Sequence, residues 1–279
     1  MAETGLLLKQ SPAETLQLTS LLKEIIIDSD QDVIVNMEVK DQQSVSAVIR
    51  LRAAASLNVT VKVEEGSNAT LLYWNETDAP VVVEEHNDVY RDASLKTAYI
   101  QLNKGTVQHK GVTLLKEEGA QAQLHAAVIA QTNKNFMIDC VHEAGHTTGI
   151  IESYCIVLEG GRYRMEATGK INKGARGAKS HQTSRALTFD AKQTATILPK
   201  LLIDENDVEA SHAMTIGQMD ENQMYYLQSR GLTEEEAIGL VTLGYLLPIV
   251  RISDDPELKK ALQQEIEMKV KEVCLTSSK

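Results

Sequence analysis

Apolar and polar residues alternate along most of the chain, beginning at Val33. The segments 33–39, 45–51 and 57–63 carry apolar side chains at every second position, which is the pattern of a half-buried β-strand. Strand-like alternation continues to about residue 212. The sequence therefore predicts a mainly β protein over most of its length.

The spacing of these strands is regular. Equivalent apolar positions follow one another in steps of 12 residues, at Val33, Val45, Leu57, Ala69 and Val81. Two steps make about 24 residues, a suitable length for one coil of a parallel β-helix. A β-sandwich of hairpins is the competing interpretation, but the sequence contains no Asn-Gly or Asp-Gly hairpin turn. We therefore predict a parallel β-helix, or β-solenoid.

Helical signals flank this predicted core. Ser11 is a suitable N-cap and Pro12 would occupy the first helical position, so we expect a helix over residues 11–26. From Gln218 onward the pattern switches to helices, with a helix end at Arg230-Gly231 and a new N-cap at Thr233.

The expected organisation has three parts. A short helical cap occupies residues 1–30, the β-helix core occupies residues 31–217, and a C-terminal helical domain occupies residues 218–279. The last predicted helix runs from Asp254 to about Cys274.

Charge and hydropathy exclude several classes of partner. The chain has 28 Lys and Arg against 39 Asp and Glu, a net charge of −11. No basic face for nucleic acid is indicated, and no apolar run approaches the roughly 20 residues that span a bilayer. We expect neither a nucleic-acid partner nor a membrane. The N-terminal residues lack a signal-peptide pattern, so we expect a cytoplasmic protein.

One motif suggests an enzyme. The residues His142-Glu143-Ala144-Gly145-His146 satisfy the HExxH pattern of zinc hydrolases, in which two histidines one helical turn apart share a zinc ion. The neighbouring glycines and threonines favour a strand or turn instead, and four extended residues would hold the histidines about 13 Å apart. A zinc-dependent hydrolase is therefore kept only as an alternative.

Three cysteines, Cys140, Cys155 and Cys274, are too few and too widely spaced for a disulfide framework. Cys140 and His142 lie on one face of a predicted strand and form a pair of soft ligands, so both are candidates for binding a cofactor. Cys155 lies in an apolar strand and is expected in the core.

A resemblance to a known family emerges near the C-terminal third. The run from Ala210 to Leu232, ASHAMTIGQMDENQMYYLQSRGL, followed by Glu235-Glu236-Ala237, resembles the signature of the SufB/SufD family. Members of that family are scaffold subunits of the SUF iron–sulfur cluster assembly machine. The upstream residues Gly169-Lys170-Ile171 and Pro199 continue the resemblance more loosely.

The resemblance implies a fold and partners. It implies a right-handed parallel β-helix, a helical domain that docks on a SufC-type ABC ATPase, and pairing of the last coils with a second SufB or SufD subunit. The docking residues would come from the apolar side chains of the first C-terminal helix. The candidates are Met219, Tyr225, Tyr226 and Leu227.

The site residues of the family transfer incompletely. His212 matches the SufD-type histidine near the subunit interface, which is implicated in cluster assembly. Ala210 stands where SufD proteins have a cysteine, Gln193 falls at the essential SufB cysteine, and Ala213 replaces a SufB-type glutamate. Because thiolates are the usual cluster ligands, the chain looks more like a SufD-type partner than a SufB-type acceptor.

Three functional hypotheses follow. The first is a non-enzymatic scaffold that takes part in assembling a transient iron–sulfur cluster, as a homodimer or as a heterodimer with a SufB/SufD-like chain. The second is a purely structural subunit that binds the ATPase but no cluster. The third is the zinc hydrolase.

Overall fold

The computed structural model describes residues 4–20, 22–53, 56–189 and 192–275. Seventeen strands are followed by the helices. The strands are β1 (Thr4–Leu8), β2 (Leu16–Gln17), β3 (Leu22–Asp28), β4 (Val33–Val39), β5 (Ser44–Ala53), β6 (Ser56–Val63), β7 (Asn68–Asn75), β8 (Val81–Val89), β9 (Ser94–Gln101), β10 (Val107–Leu115), β11 (Gln121–Ala130), β12 (Asn133–His142), β13 (Thr148–Val157), β14 (Arg162–Ile171), β15 (Ala178–Thr188), β16 (Thr194–Ile203) and β17 (Val208–Gln218). The helices are α1 (Glu221–Ser229), α2 (Glu234–Leu246), a 3-10 helix (Leu247–Ile252) and α3 (Pro256–Leu275).

The strands form two parallel sheets that the chain visits alternately. Sheet A contains the nine odd-numbered strands and sheet B the eight even-numbered strands, each in sequence order. The predicted parallel β-solenoid is confirmed. The predicted coil length holds at the start, where Val33 lies beside Leu57, but later coils are longer and Arg162 lies beside Thr194.

The predicted N-terminal helix over residues 11–26 is wrong. The described part of residues 1–30, which omits residues 1–3 and Leu21, contains strands β1, β2 and β3. Ile25 and Ile27 alternate with less buried neighbours and enter the core, because β-branched residues suit a strand that pairs with β5. The hydroxyl of Ser11, the expected helix cap, instead accepts a hydrogen bond from the backbone N–H of Ile34 at 2.9 Å.

The C-terminal helices follow the predicted order, but the first begins at Glu221 and not at Gln218, because β17 extends through Gln218. Thr233 caps α2 in a capping box, in which its backbone N–H donates to Glu236 Oε2 at 2.8 Å and its hydroxyl accepts from the Glu236 N–H at 3.2 Å. Gly231 has φ 95°, a left-handed conformation that suits glycine and ends α1.

These helices share a core with the solenoid. The outward side chains of sheet A, among them Leu72 and Ile100, pack in one cluster with Ile249 of the 3-10 helix and Ile266 of α3. An ion-pair network reinforces the contact, since Arg50 on β5 bridges Glu24 and Glu265 at 2.6 and 3.4 Å. Helix α2, the 3-10 helix and α3 are therefore folded onto the outer face of sheet A.

Aromatic rings line the solenoid interior in a row along its axis. The ring centroids of Tyr73 and Tyr99 are 5.5 Å apart, those of Tyr99 and His109 4.2 Å, and those of His109 and Phe136 5.8 Å. Tyr163 extends the row at 6.1 Å from Phe136. Stacking equivalent positions of successive coils brings these rings together.

Two rings of this row, Tyr99 and His109, also belong to a buried polar network around Glu85. The hydroxyl of Tyr99 donates to Glu85 Oε2 at 2.6 Å, Asn87 Nδ2 donates to Glu85 Oε1 at 3.0 Å, and His109 Nε2 lies 3.3 Å from Glu85 Oε2. Burial raises the pKa of the Glu85 carboxyl, but the hydrogen bonds with His109, Tyr99 and Asn87 outweigh it and leave the pKa lowered. The ionised carboxylate is thus a structural element of the interior.

Replacing Glu85 should therefore destabilise the solenoid. We expect Glu85→Ala to lower the free energy of unfolding by about 3–5 kcal/mol, because the removal leaves its buried partners unpaired. Urea denaturation measures this, and Glu84→Ala, on the exposed face of the same strand, should change stability by less than about 0.5 kcal/mol.

The loss of stability in Glu85→Ala should also depend on pH. Because the folded-state pKa of Glu85 is lowered, its contribution to stability is present above the unfolded carboxyl pKa and is lost as the pH falls through the folded value. The difference in unfolding free energy between wild type and Glu85→Ala should shrink in acid. Equal losses in Glu85→Ala and Glu84→Ala at neutral pH would contradict this account.

Candidate functional site

The last coil of the solenoid is open to solvent. Strand β17 is the final strand of sheet A and pairs with β15 on one side. Within the described part of the chain no strand pairs with its other edge. None of its eleven residues is buried, although their register continues the interior columns of β15. The inner face of β17 is therefore uncovered.

Apolar side chains are exposed on these last strands. Met214 and Ile216 on β17 are 44% and 49% exposed, and three residues of β16 are also exposed. Leu198 and Leu202 lie on the outer face of β16, whereas Ile203, Met214 and Ile216 continue the interior columns, and we call these last three the terminal-coil patch. Exposed apolar residues beside a free strand edge are typical of a protein interface.

His212 lies in the middle of β17. It pairs in register with Gln182 of β15, whose side chain is buried and donates from Nε2 to the backbone oxygen of Lys200 at 2.9 Å. His212 itself is exposed, on the column that continues the interior. The imidazole is thus presented at the open end.

The structure also describes Ala210 and Gln193, the two positions at which the resemblance leads one to expect cysteines. Ala210 is exposed on β17, two residues before His212. Gln193 lies in the β15–β16 connection, where its Oε1 accepts a hydrogen bond from the Phe189 N–H at 2.6 Å. Neither position supplies a thiolate.

Helix α1 follows the open coil directly. The backbone N–H of Met219 donates to the Thr188 oxygen at 2.8 Å and ties the start of the helical segment to β15. Tyr225 and Tyr226 are 73% and 55% exposed, whereas Met219 and Leu227 are partly buried. No residue of α1 is buried. Three of the predicted partner-binding residues therefore lie on an accessible helix that follows β17 in the chain, and Met219 lies in the link before it.

Cys140 and His142 are brought together, but away from His212. Both side chains face the interior from β12 and are buried. Burial raises the pKa of the Cys140 thiol to about 12 and lowers the pKa of His142 to about 4. At neutral pH the pair is therefore a thiol and a neutral imidazole.

The HExxH motif does not form a zinc-hydrolase site. His142 ends β12 and faces the core, whereas His146 lies in the following turn with φ 55° and a side chain 69% exposed. Glu143 pairs with Lys116 at 2.8 Å. No cluster of three or more metal-ligating His, Cys, Asp or Glu residues occurs among the described residues. The two histidines do not share a helix face, so the geometry gives the hydrolase alternative no support.

The remaining cysteines are core residues. Cys155 is buried in the solenoid interior, as predicted, and Cys274 is buried in the cluster formed by the helices and sheet A. Neither belongs to the open end.

The terminal-coil patch is what sequence reasoning missed. The alternation that contains Met214 and Ile216 was visible, but in other coils the same alternation marks buried side chains. Met214 and Ile216 differ from the buried residues of other coils only because, among the described residues, no further strand pairs with β17. The sequence pattern does not show this, because it depends on how the sheet is assembled.

Comparison with known proteins identifies the family. Residues 25–245 match the family described as "SUF system FeS cluster assembly, SufBD core domain". This chain belongs to the SufBD family. The resemblance of residues 210–237 to that family is thereby confirmed.

Individual relatives agree with this membership. The chain is 34% identical over 183 residues to the iron–sulfur cluster assembly protein SufD of Bacillus subtilis, covering 65% of this chain and 42% of the relative. It is 27% identical over 140 residues to SufB of the same organism, covering 50% of this chain and 30% of the relative. A SufBD family protein of Mycobacterium tuberculosis is 37% identical over 111 residues, which are 40% of this chain and 13% of that protein. The matched regions thus span less than half the length of each relative.

None of the helices that the structure describes combines the length and the apolar character needed to cross a membrane.

Proposed function

We propose that this SufBD-family chain is a scaffold subunit of an iron–sulfur cluster assembly complex, with a second SufB/SufD-like subunit on its open coil and a SufC-type ATPase on α1. The observation that carries the proposal is the exposed last coil. The last described strand, β17, has eleven residues and pairs on one side only, so its other edge presents a free row of backbone donors and acceptors.

Pairing at the open coil would bury the terminal-coil patch. The free edge of β17 offers backbone hydrogen bonds, and Met214 and Ile216 offer apolar area beside it. A second copy of this chain and a SufB-like chain both have suitable chemistry, since each supplies a parallel-solenoid edge. The subunit arrangement is therefore either a homodimer or a heterodimer.

His212 would lie at that junction. Its exposed imidazole supplies one nitrogen ligand, and iron and sulfide enter here as cargo. Because Ala210 and Gln193 supply no thiolate, the cysteine ligands of a transient cluster would come from the partner subunit. A structural subunit that holds no cluster is the second candidate, and the missing thiolates favour it.

Helix α1 would transmit motion from the ATPase. It carries two exposed tyrosines and follows β17 directly in the chain, and the Met219–Thr188 hydrogen bond joins the helical segment to β15. A force applied to α1 would therefore reach the open coil over a short path. Substrates and further partners of the full-length relatives are not implied by this geometry.

The open coil can be tested by its pairing. We expect Ile216→Asp to abolish dimer formation, because a buried unpaired carboxylate at the junction is costly. Size-exclusion chromatography with light scattering, on the chain alone and mixed with a SufB-like subunit, measures this. The control is Ile34→Asp on β4 of sheet B, because Ile34 is 54% exposed and Ile216 is 49% exposed. The interface proposal is wrong if Ile216→Asp forms dimers like wild type. It is also wrong if wild type forms no dimer, either alone or with the SufB-like subunit.

Helix α1 can be tested by co-purification. We expect the double variant Tyr225→Asp/Tyr226→Asp to lose binding to the SufC-type ATPase, because two central aromatic contacts become charges. Leu240→Asp/Met268→Asp is the control, since it places two carboxylates at exposed apolar positions of α2 and α3. Retention of the ATPase by the tyrosine variant, with an unchanged circular dichroism spectrum, would remove α1 from the interface.

His212 can be tested by metal analysis. In the anaerobically purified complex we expect His212→Ala to lower iron and acid-labile sulfide together, whereas His146→Ala, an exposed histidine of a distant turn, leaves both unchanged. Unchanged iron and sulfide in His212→Ala would reject the ligand role of His212. Absence of both from the wild-type complex would favour the structural subunit.

A further inference from the structure

A cysteine and a histidine inside the solenoid face one point in the core. Cys140 and His142 are two residues apart on β12 and have relative exposures of 1% and 0%. A Cβ atom on Gly149 of the neighbouring sheet would lie 2.6 Å from Cys140 Sγ and 2.9 Å from His142 Nε2. The two ligand atoms are therefore no more than 5.5 Å apart and pack against the backbone of Gly149, where any larger residue would displace them.

The hydrogen bonds of His142 define which nitrogen is free. The Thr147 hydroxyl donates to the Ala144 oxygen at 3.0 Å, so its Oγ1 accepts from the His142 Nδ1–H at 2.8 Å. This leaves Nε2 with an unprotonated lone pair. Nε2 is buried and has no hydrogen-bond partner in the described residues. A buried acceptor without a partner is unfavourable, and a ligand at this point would recover the lost interaction.

We propose that Cys140 Sγ and His142 Nε2 bind one soft monovalent d10 ion, Cu(I), in the interior of the solenoid. A thiolate and an imidazole nitrogen are the donor types that Cu(I) prefers. Cu(I) is satisfied by two ligands, whereas a structural zinc ion takes four. The described residues gather no third His, Cys, Asp or Glu ligand with this pair.

Charge also selects a monovalent ion. Binding displaces the thiol proton to solvent, so Cys140–SH and Cu⁺ give Cys140–S–Cu and H⁺, and the oxidation state of copper does not change. The thiolate, the ion and the neutral imidazole then sum to zero charge. A divalent ion on the same ligands would leave one uncompensated positive charge in a buried position, which is strongly unfavourable.

Thr147 has a positioning role in this site. Metal-ligating histidines commonly donate their second ring N–H to an oxygen acceptor, which orients the ring. The Thr147 hydroxyl fills that role, and its own donation to Ala144 keeps it an acceptor. The site is independent of the proposed scaffold function, because it uses neither the open coil nor α1.

The test is an anaerobic Cu(I) titration of the reduced full chain in competition with a chromogenic Cu(I) chelator. We expect the wild type to bind one Cu(I) per chain and to release one proton. Cys140→Ser should abolish this binding, and Thr147→Val should weaken it about 10–100-fold, with recovery in Thr147→Ser. Cys155→Ser removes a second buried thiol of the same interior and is the matched control, which should bind like wild type.

Several results would overturn the site. They are Cu(I) binding by Cys140→Ser equal to wild type, loss of binding in Cys155→Ser, and failure of wild type to compete with the chelator. X-ray absorption of the loaded wild type should show one sulfur and one nitrogen neighbour; coordination by sulfur atoms alone would also reject it. Thermal unfolding of each apo variant separates ligand loss from misfolding, and the serine variant of Thr147 keeps the test valid if Thr147→Val unfolds.

Discussion

Parallel backbone pairing between successive coils is the constraint on which the structure depends. Every interior strand of both sheets has a neighbour on each side, so its backbone donors and acceptors are satisfied by the coils before and after it. The arrangement has no internal means of closing itself, unlike a barrel. An edge must remain wherever the last coil stops, and here β17 places that edge beside His212, Met214 and Ile216.

The same stacking controls the interior. Equivalent positions of successive coils form continuous columns, which suits apolar and aromatic side chains but leaves a polar side chain to find partners within one or two coils. Glu85 finds them in Tyr99, Asn87 and His109. The Nε2 atom of His142 does not, and its neighbours are a thiol and a glycine. The carboxylate of Glu85 is thus structural, whereas an unpartnered imidazole nitrogen beside a thiol is a reason to look for a ligand.

The helical segment divides the surface between stability and recognition. The 3-10 helix and α3 bury the outer apolar side chains of sheet A, and Arg50 and Lys96 add ion pairs to Glu265 and Asp254 at 3.4 and 3.1 Å. Helix α1 buries no residue and follows the open coil directly in the chain. Most of the C-terminal segment therefore stabilises the solenoid, and its first helix remains available for a partner.

The sequence alone determined the strand periodicity, the change to helices after β17, the cap at Thr233 and the SufBD family, because each depends on residues close together in the chain. It did not determine the state of residues 11–26, where Ser11 and Pro12 favour a helix but pairing of Leu16 with Met37 and of Ile25 with Ile49 stabilises strands. Tertiary structure also decided that Met214 is exposed while Ala126 in an equivalent alternating strand is buried, and that Cys140, His142 and Gly149 meet. These outcomes depend on which coil lies next to which, and local sequence patterns carry no information about a neighbour that is 21 or more residues away.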